Sequence, residues 1–138
     1  MKHLKPYDNS KVISSLNDIA LDIIDEGFLF NIRDNGSDMD NIINDWNDNS
    51  DIILCNITPN KLVITETLYE TVMCMIDYMK QNSFTINYIR VFNLLPNNMR
   101  LSSVVTEIGM YKNKDISTEE LESFIGSRFR LIELGFIK

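Results

Sequence analysis

Histidine is almost missing from this 138-residue chain, His3 being the only one. It lies at an end prone to fraying, so a histidine general acid or a Ser-His-Asp triad would have to be built from the least ordered part of the molecule. Cysteine is scarce as well. Cys55 and Cys74 have no CxxC spacing and sit in apolar runs where a thiolate is disfavoured, so both are expected as buried free thiols and neither as a disulfide or a metal ligand. Glycine and proline number only five and three, and the sequence has no Gly-rich phosphate loop, Rossmann fingerprint or HExxH pattern. No apolar run approaches the length of a membrane span, and Met1-Lys2-His3-Leu4-Lys5-Pro6 is not followed by the apolar core of a signal peptide; the expectation is an intracellular product with no membrane contact. Positive charge is in deficit too, with 13 basic residues against 20 acidic ones and a net charge of -7. Such a surface repels a phosphate backbone. The one local concentration of cations, Lys112, Lys114, Arg128, Arg130 and Lys138, is interrupted by Glu107, Asp115, Glu119, Glu120, Glu122 and Glu133, so direct nucleic-acid binding is not expected.

What the chain does have is a hydrophobic content of 44% against 24% charged residues, which excludes wholesale disorder and suffices for one domain with a real core. The stretch from Thr67 to Phe92 organises the rest. Thr67 with Glu70 reads as a capping box, and Leu68, Val72, Met75, Ile76 and Met79 recur at helical spacing, widened by Tyr69 and Met73. Glu70, Thr71, Asp77 and Lys80 are left to face outward. Through Gln81-Asn82-Ser83 this helix passes into a strand with Phe84, Ile86 and Tyr88 on one face, whose alternation is lost at Ile89-Arg90-Val91-Phe92.

Before it, Asn9 or Ser10 caps a helix to about Glu26 with a stripe of Val12, Ile13, Leu16, Ile19, Ala20, Ile23 and Ile24. Gly27 is placed to end it in a left-handed C-cap, and Phe28 to Arg33 follows as a strand with Phe28, Phe30 and Ile32 inward. Asp51 to Ile57 is nearly continuous in apolar residues and reads as a strand covered on both sides; Leu62-Val63-Ile64 adds a short edge strand. After Phe92, Pro96 stops the strand, Met99 to Met110 reads as helix, and Tyr111 to Ile116 as loop. Ser117 and Glu120 form a second capping box opening a helix to about Leu134, with Leu121, Phe124, Ile125, Phe129 and Ile132 inward and Gly135 at its C-cap. The fold class expected is α+β: a two-layer sandwich with an α-β-β-α-β core over 1–95 and C-terminal helices over 96–138 as an extension of the same domain.

The polar stretch from Asp34 to Ser50 offers a cation loop, since Asp45, Asn47 and Asn49 partly follow an EF-hand spacing. Ser50 stands where the turn wants Gly and Asn56 where a bidentate carboxylate belongs, so solvated turn residues are the expectation, with no metal and no cofactor. Trp46 is either a satellite-core anchor or an exposed contact residue. The Met-bearing face of the central helix likewise reads as core filler or as an adaptable interface.

Asn, Ile, Asp and Lys are in excess, as AT-rich codons favour. The opening Met1-Lys2-His3-Leu4-Lys5-Pro6-Tyr7-Asp8, an amphipathic helix, and then Asp25-Glu26-Gly27-Phe28-Leu29-Phe30-Asn31-Ile32 resemble the beginnings of small proteins of AT-rich tailed bacteriophages, including crAss-like phages. The resemblance covers the first quarter of the chain and implies a viral origin. The expectation is a non-enzymatic structural or assembly protein, a head-tail connector or ring component, present in the virion or the host cytoplasm. Its partners would be further copies of itself and other virion proteins, with Trp46, Tyr111, Arg128 and Arg130 as interface residues. The alternative is an acidic inhibitor or regulator that binds a host protein, imitating DNA through acids such as Asp34, Asp38 and Asp45.

Overall fold

The computed structural model describes residues 9–34, 51–60, 63–94 and 113–138. They form an α+β fold with the elements α1 (Ser10–Ile19), α2 (Leu21–Asp25), β1 (Leu29–Asp34), β2 (Ile52–Thr58), α3 (Glu66–Gln81), β3 (Thr85–Phe92), β4 (Asn113–Ile116), α4 (Thr118–Ser123) and β5 (Leu131–Ile137). The strands make one five-stranded sheet in the order β1-β2-β5-β3-β4, antiparallel at every pairing. The helices share one face of it. There Leu16, Ile23, Leu68, Val72, Met75, Met79 and Leu121 close on Ile53, Cys55, Ile57, Ile89, Val91, Ile132, Leu134 and Phe136 in a single core. The expected first helix is two short ones, α1 and α2, joined at Ala20, whose N–H still bonds Leu16 O at 3.0 Å. Asn9 holds the N-cap position without a side-chain capping bond.

Helix ends are written clearly in the sequence. Gly27 has φ 104°, and its N–H bonds Ile24 O at 3.0 Å while the N–H of Phe28 bonds Ile23 O at 3.0 Å, the paired bonds of a Schellman stop that turns the chain from α2 into β1. Around α4, Ser117 N–H donates to Glu120 Oε1 at 3.0 Å and Glu120 N–H to Ser117 Oγ at 3.1 Å, the reciprocal box read from the sequence. The start of α3 needs correcting by two residues: Thr65 is the cap, accepting from Leu68 N–H at 3.0 Å and donating its hydroxyl to Glu26 at 3.0 Å. Thr71, expected outward, is buried.

The C-terminal helix is the larger correction. It ends at Ser123, and Leu131–Ile137 forms β5, the middle strand of the sheet. Gly126, at φ 97°, breaks the helical path, after which Ile132, Leu134 and Phe136 alternate into the core with no exposure at all. The last stretch of the chain is thus woven between β2 and β3. Asn113–Ile116, expected as loop, is the edge strand β4. The expected edge strand at Val63 shrinks to one bridge with Arg128. The helix expected at Met99 to Met110 and the loop carrying Asp45, Asn47 and Asn49 lie outside the described residues.

One helix stop is built from the wrong residue type. Ser83 has φ 70°, with its N–H on Lys80 O at 3.1 Å and Phe84 N–H on Met79 O at 2.9 Å, the same hydrogen-bond pair that Gly27 makes. A side chain held in the left-handed region is strained, and glycine removes that strain while adding freedom to the unfolded chain. Ser83→Gly is therefore expected to stabilise the protein by about 0.5–1 kcal/mol, read as a rise in the urea midpoint at unchanged slope; an unchanged or lower midpoint would show that the position carries no strain.

Candidate functional site

The sheet face turned away from the helices carries the chemically varied side chains. Strand register puts them in rows. Asn31 of β1 pairs with Asn56 of β2, Asn56 with Glu133 of β5, Glu133 with Arg90 of β3, and Arg90 with Asp115 of β4. A continuous polar row thus crosses all five strands of this sheet. The next row toward the C-terminal end of β5 reads Arg33, Leu54, Gly135, Tyr88, and Ile52 and Leu54 form a small apolar cluster with Tyr88 and Ile137.

Tyr88 reaches this face through an irregularity. The register of β3 against β5 jumps between Ile86, paired with Phe136, and Tyr88, paired with Gly135. Asn87 is the additional residue, and a β-bulge of this kind flips every later side chain relative to strict alternation. The expectation that Phe84, Ile86 and Tyr88 share one face is corrected accordingly: Phe84 and Ile86 join the core and Tyr88 lies opposite. Its ring lies over Gly135. A Cβ at Gly135 would stand 2.5 Å from Tyr88 Cε2 and 2.6 Å from Cζ, so Gly135 is a site of close approach and not the expected helix cap.

From this position Tyr88 organises its neighbours. Its hydroxyl donates to Glu133 Oε1 at 2.9 Å, and the Arg90 guanidinium stacks on its ring at 4.3 Å. Arg90 in turn grips Asp115 with two bonds, Nε to Oδ1 at 2.6 Å and Nη2 to Oδ2 at 3.2 Å. Burial first, then the charge of Glu133 and the bond to it, push the Tyr88 hydroxyl well above its usual titration range. The bond to Asp115 is the main reason that Arg90 is held even more firmly in its charged form. Alternating charge along a row, with one cation between two acids, is the favourable cross-strand order. Farther along, Asn56 Oδ1 and Arg33 Nε are buried without a hydrogen-bond partner, an orphan acceptor and an orphan donor on neighbouring strands.

Of the four residues singled out from the sequence as contacts, Trp46 and Tyr111 lie outside the described residues. Arg128 and Arg130 are exposed, but they sit at the entry to β5 and not at a helix end: Arg128 bridges Val63, and Arg130 N–H bonds Phe92 O at 2.9 Å. The structure does not bring them into the Tyr88 cluster. The two cysteines differ. Burial pushes the Cys55 thiol far up, whereas Cys74 is exposed, contrary to the expectation that both are buried. Among the described residues no three His, Cys, Asp or Glu side chains converge as a metal site would require, and no helix is long and apolar enough to cross a membrane. Comparison with protein-family models, curated proteins and solved structures found no match.

Two outcomes follow from the Tyr88 geometry. Gly135→Ala drives a methyl into the ring and is expected to cost about 1–3 kcal/mol, but much less when Tyr88 is already Ala; equal costs in the two backgrounds, measured by urea unfolding, would separate Gly135 from Tyr88. A tyrosine whose folded-state pKa is raised contributes stability that is intact below its unfolded value and lost as pH rises toward the folded one. Stability should therefore fall as pH climbs above about 10, and Tyr88→Phe should flatten that part of the profile in thermal melts at stepped pH. A wild-type profile that is already flat there would contradict the assigned shift.

Proposed function

We propose that this chain is a non-catalytic assembly protein that works by contact with other proteins, its own copies among them, in the manner of a ring or head-tail connector component of a tailed-phage virion. The observation supporting the contact role is the placement of exposed apolar side chains. Leu21 is 53% exposed, Ile24 41% and Leu29 66%. Leu21 and Ile24 share one side of α2 by their three-residue spacing, α2 packs on β1, and Leu29 opens β1. Exposed apolar side chains on either side of the α2-β1 turn are what a docking surface draws on. The phage assignment, with the virion or host cytoplasm as location, is carried by the resemblance of the N-terminal quarter. The acidic-regulator reading retains one observation in its favour, the net charge of -7.

Light scattering on the size-exclusion eluate tests the contact role, with the chain run alone and co-expressed with the products of adjacent genes. An assembly of defined stoichiometry is expected, weakened when Leu21, Ile24 and Leu29 are changed together to Ser. A chain that stays monomeric in every combination, with no defined complex, overturns the reading. A monomer that binds a single host protein one to one replaces it with the regulator.

A further inference from the structure

We propose that the outward side of α2 docks a cationic amphipathic segment of another protein, one that sets apolar residues on Leu21 and Ile24 and lysines or arginines on Asp18, Asp22 and Asp25. This deepens the assembly reading above, on which it rests, by naming the chemistry of the partner.

The surface follows from helical spacing. The N–H of Ala20 bonds Leu16 O and that of Ile24 bonds Ala20 O, each at 3.0 Å, so the chain stays helical across the join of α1 and α2. Asp18, Asp22 and Asp25 are four and three residues apart and fall along one side. Leu21, three residues after Asp18 and four before Asp25, stands beside them, and Ile24 follows Leu21 by three. All five residues are exposed, Leu21 by 53% and Ile24 by 41%, whereas Leu16, Ala20 and Ile23 of the same helical path are fully buried. Two large apolar groups in water therefore border a row of carboxylates.

The charge of this surface is adverse to the fold that carries it. Like charges at such spacing destabilise a helix, and acids at a helix C-terminus oppose its dipole; α2 ends at Asp25, is capped by Glu26 and has no basic residue in its last turn. From Val12 to Ile32 the sequence holds four acids and no Lys, Arg or His. Among the described residues no ion pair reaches Asp18, Asp22 or Asp25, while Glu26 accepts the hydroxyl of Thr65 at 3.0 Å.

A cation brought from outside relieves this repulsion, and that decides between occupants. A second copy laid on the same surface by a two-fold axis would set carboxylates against carboxylates. Anionic lipid and nucleic acid are repelled in the same way. A segment carrying Lys or Arg beside its apolar residues matches both halves of the surface, the apolar contact supplying affinity and the charges supplying register and rate of encounter.

The probe is a synthetic amphipathic peptide of Leu and Lys, with a counterpart in which Glu replaces Lys. Titrated into the isotope-labelled chain, the Leu-Lys peptide is expected to bind with amide shifts centred on Asp18 to Glu26, and the Leu-Glu peptide not to bind. Changing Leu21 and Ile24 to Ser, or Asp18, Asp22 and Asp25 to Asn, is expected to raise the dissociation constant at least about tenfold. Glu70→Gln, Asp77→Asn and Glu122→Gln together remove the same charge from exposed positions elsewhere and should leave it unchanged. Urea unfolding checks that each variant is folded. Absence of binding, shifts centred elsewhere, or equal weakening by the two charge-removing triples overturns the proposal. So does a self-association of the wild-type chain that Leu21→Ser with Ile24→Ser abolishes, since the occupant is then a second copy. A complex of defined stoichiometry seen by light scattering still supports the assembly reading in each of these cases, so the two fail separately.

Discussion

The structure depends on one insertion: β5, the last strand in the chain, lies between β2 and β3. Without it the remaining strands are two separate pairs, β1 with β2 and β3 with β4, and α3 links the two without a sheet beneath it. Ile132, Leu134 and Phe136 are wholly buried, and burying three such side chains is worth about 5–9 kcal/mol, comparable with the whole net stability of an ordinary domain. The sheet is therefore continuous only when Leu131–Ile137 is paired on both sides. The β2-α3-β3 connection must leave a slot one strand wide, and β5 fills it antiparallel to both neighbours. Contacts of this kind are distant in sequence, which makes them slow to form and cooperative once formed.

The slot also sets the chemistry of the second face. A central strand has two faces to match, and β5 sends Glu133 and Gly135 to the side away from the helices. Glu133 falls in register with Arg90 on one side and Asn56 on the other. Gly135 leaves space for the Tyr88 ring, which the bulge at Asn87 has turned to that side. Ring, carboxylate and guanidinium then hold one another, and Asp115 secures the edge strand through Arg90. A register slip by one residue would bury Glu133 and expose Leu134 together. The polar row consequently acts against mispairing, an effect distinct from whatever net stability its bonds contribute.

Local signals in the sequence were legible, and long-range ones were not. The stripe of α1 and α2 except for Ile24, expected inward and 41% exposed, the left-handed stop at Gly27, the doubly covered β2 and the capping box at Ser117 are decided by residues within a few positions of one another, and each is found. The stretch after Ser117 misleads because Leu121, Phe124, Ile125, Phe129 and Ile132 keep helical spacing through Gly126. The alternation of Ile132, Leu134 and Phe136 was the competing signal, and it prevails because a vacant central slot rewards a strand more than isolated helix propensity rewards a helix. The face of Tyr88 is illegible for a different reason: nothing in Ile86-Asn87-Tyr88 announces a bulge, which depends on how Gly135 and Phe136 lie on the neighbouring strand. The Tyr88 cluster is hidden with it. In the sequence Glu133 reads as a helix residue and Asp115 as a loop residue, and only sheet register brings them to Arg90.

The polar row that crosses the sheet has a direction, set by how fully each of its groups is answered. From Asp115 inward each polar group is answered by a neighbour of complementary type: acid by guanidinium, guanidinium by acid, acid by the Tyr88 hydroxyl. Toward β1 the answering stops. Asn56 Oδ1 and Arg33 Nε are buried without partners, and Asn31 faces solvent. Apolar exposure rises along the same direction, to Leu29, Ile24 and Leu21. Both gradients, in hydrogen-bond satisfaction and in burial, run down toward the same edge.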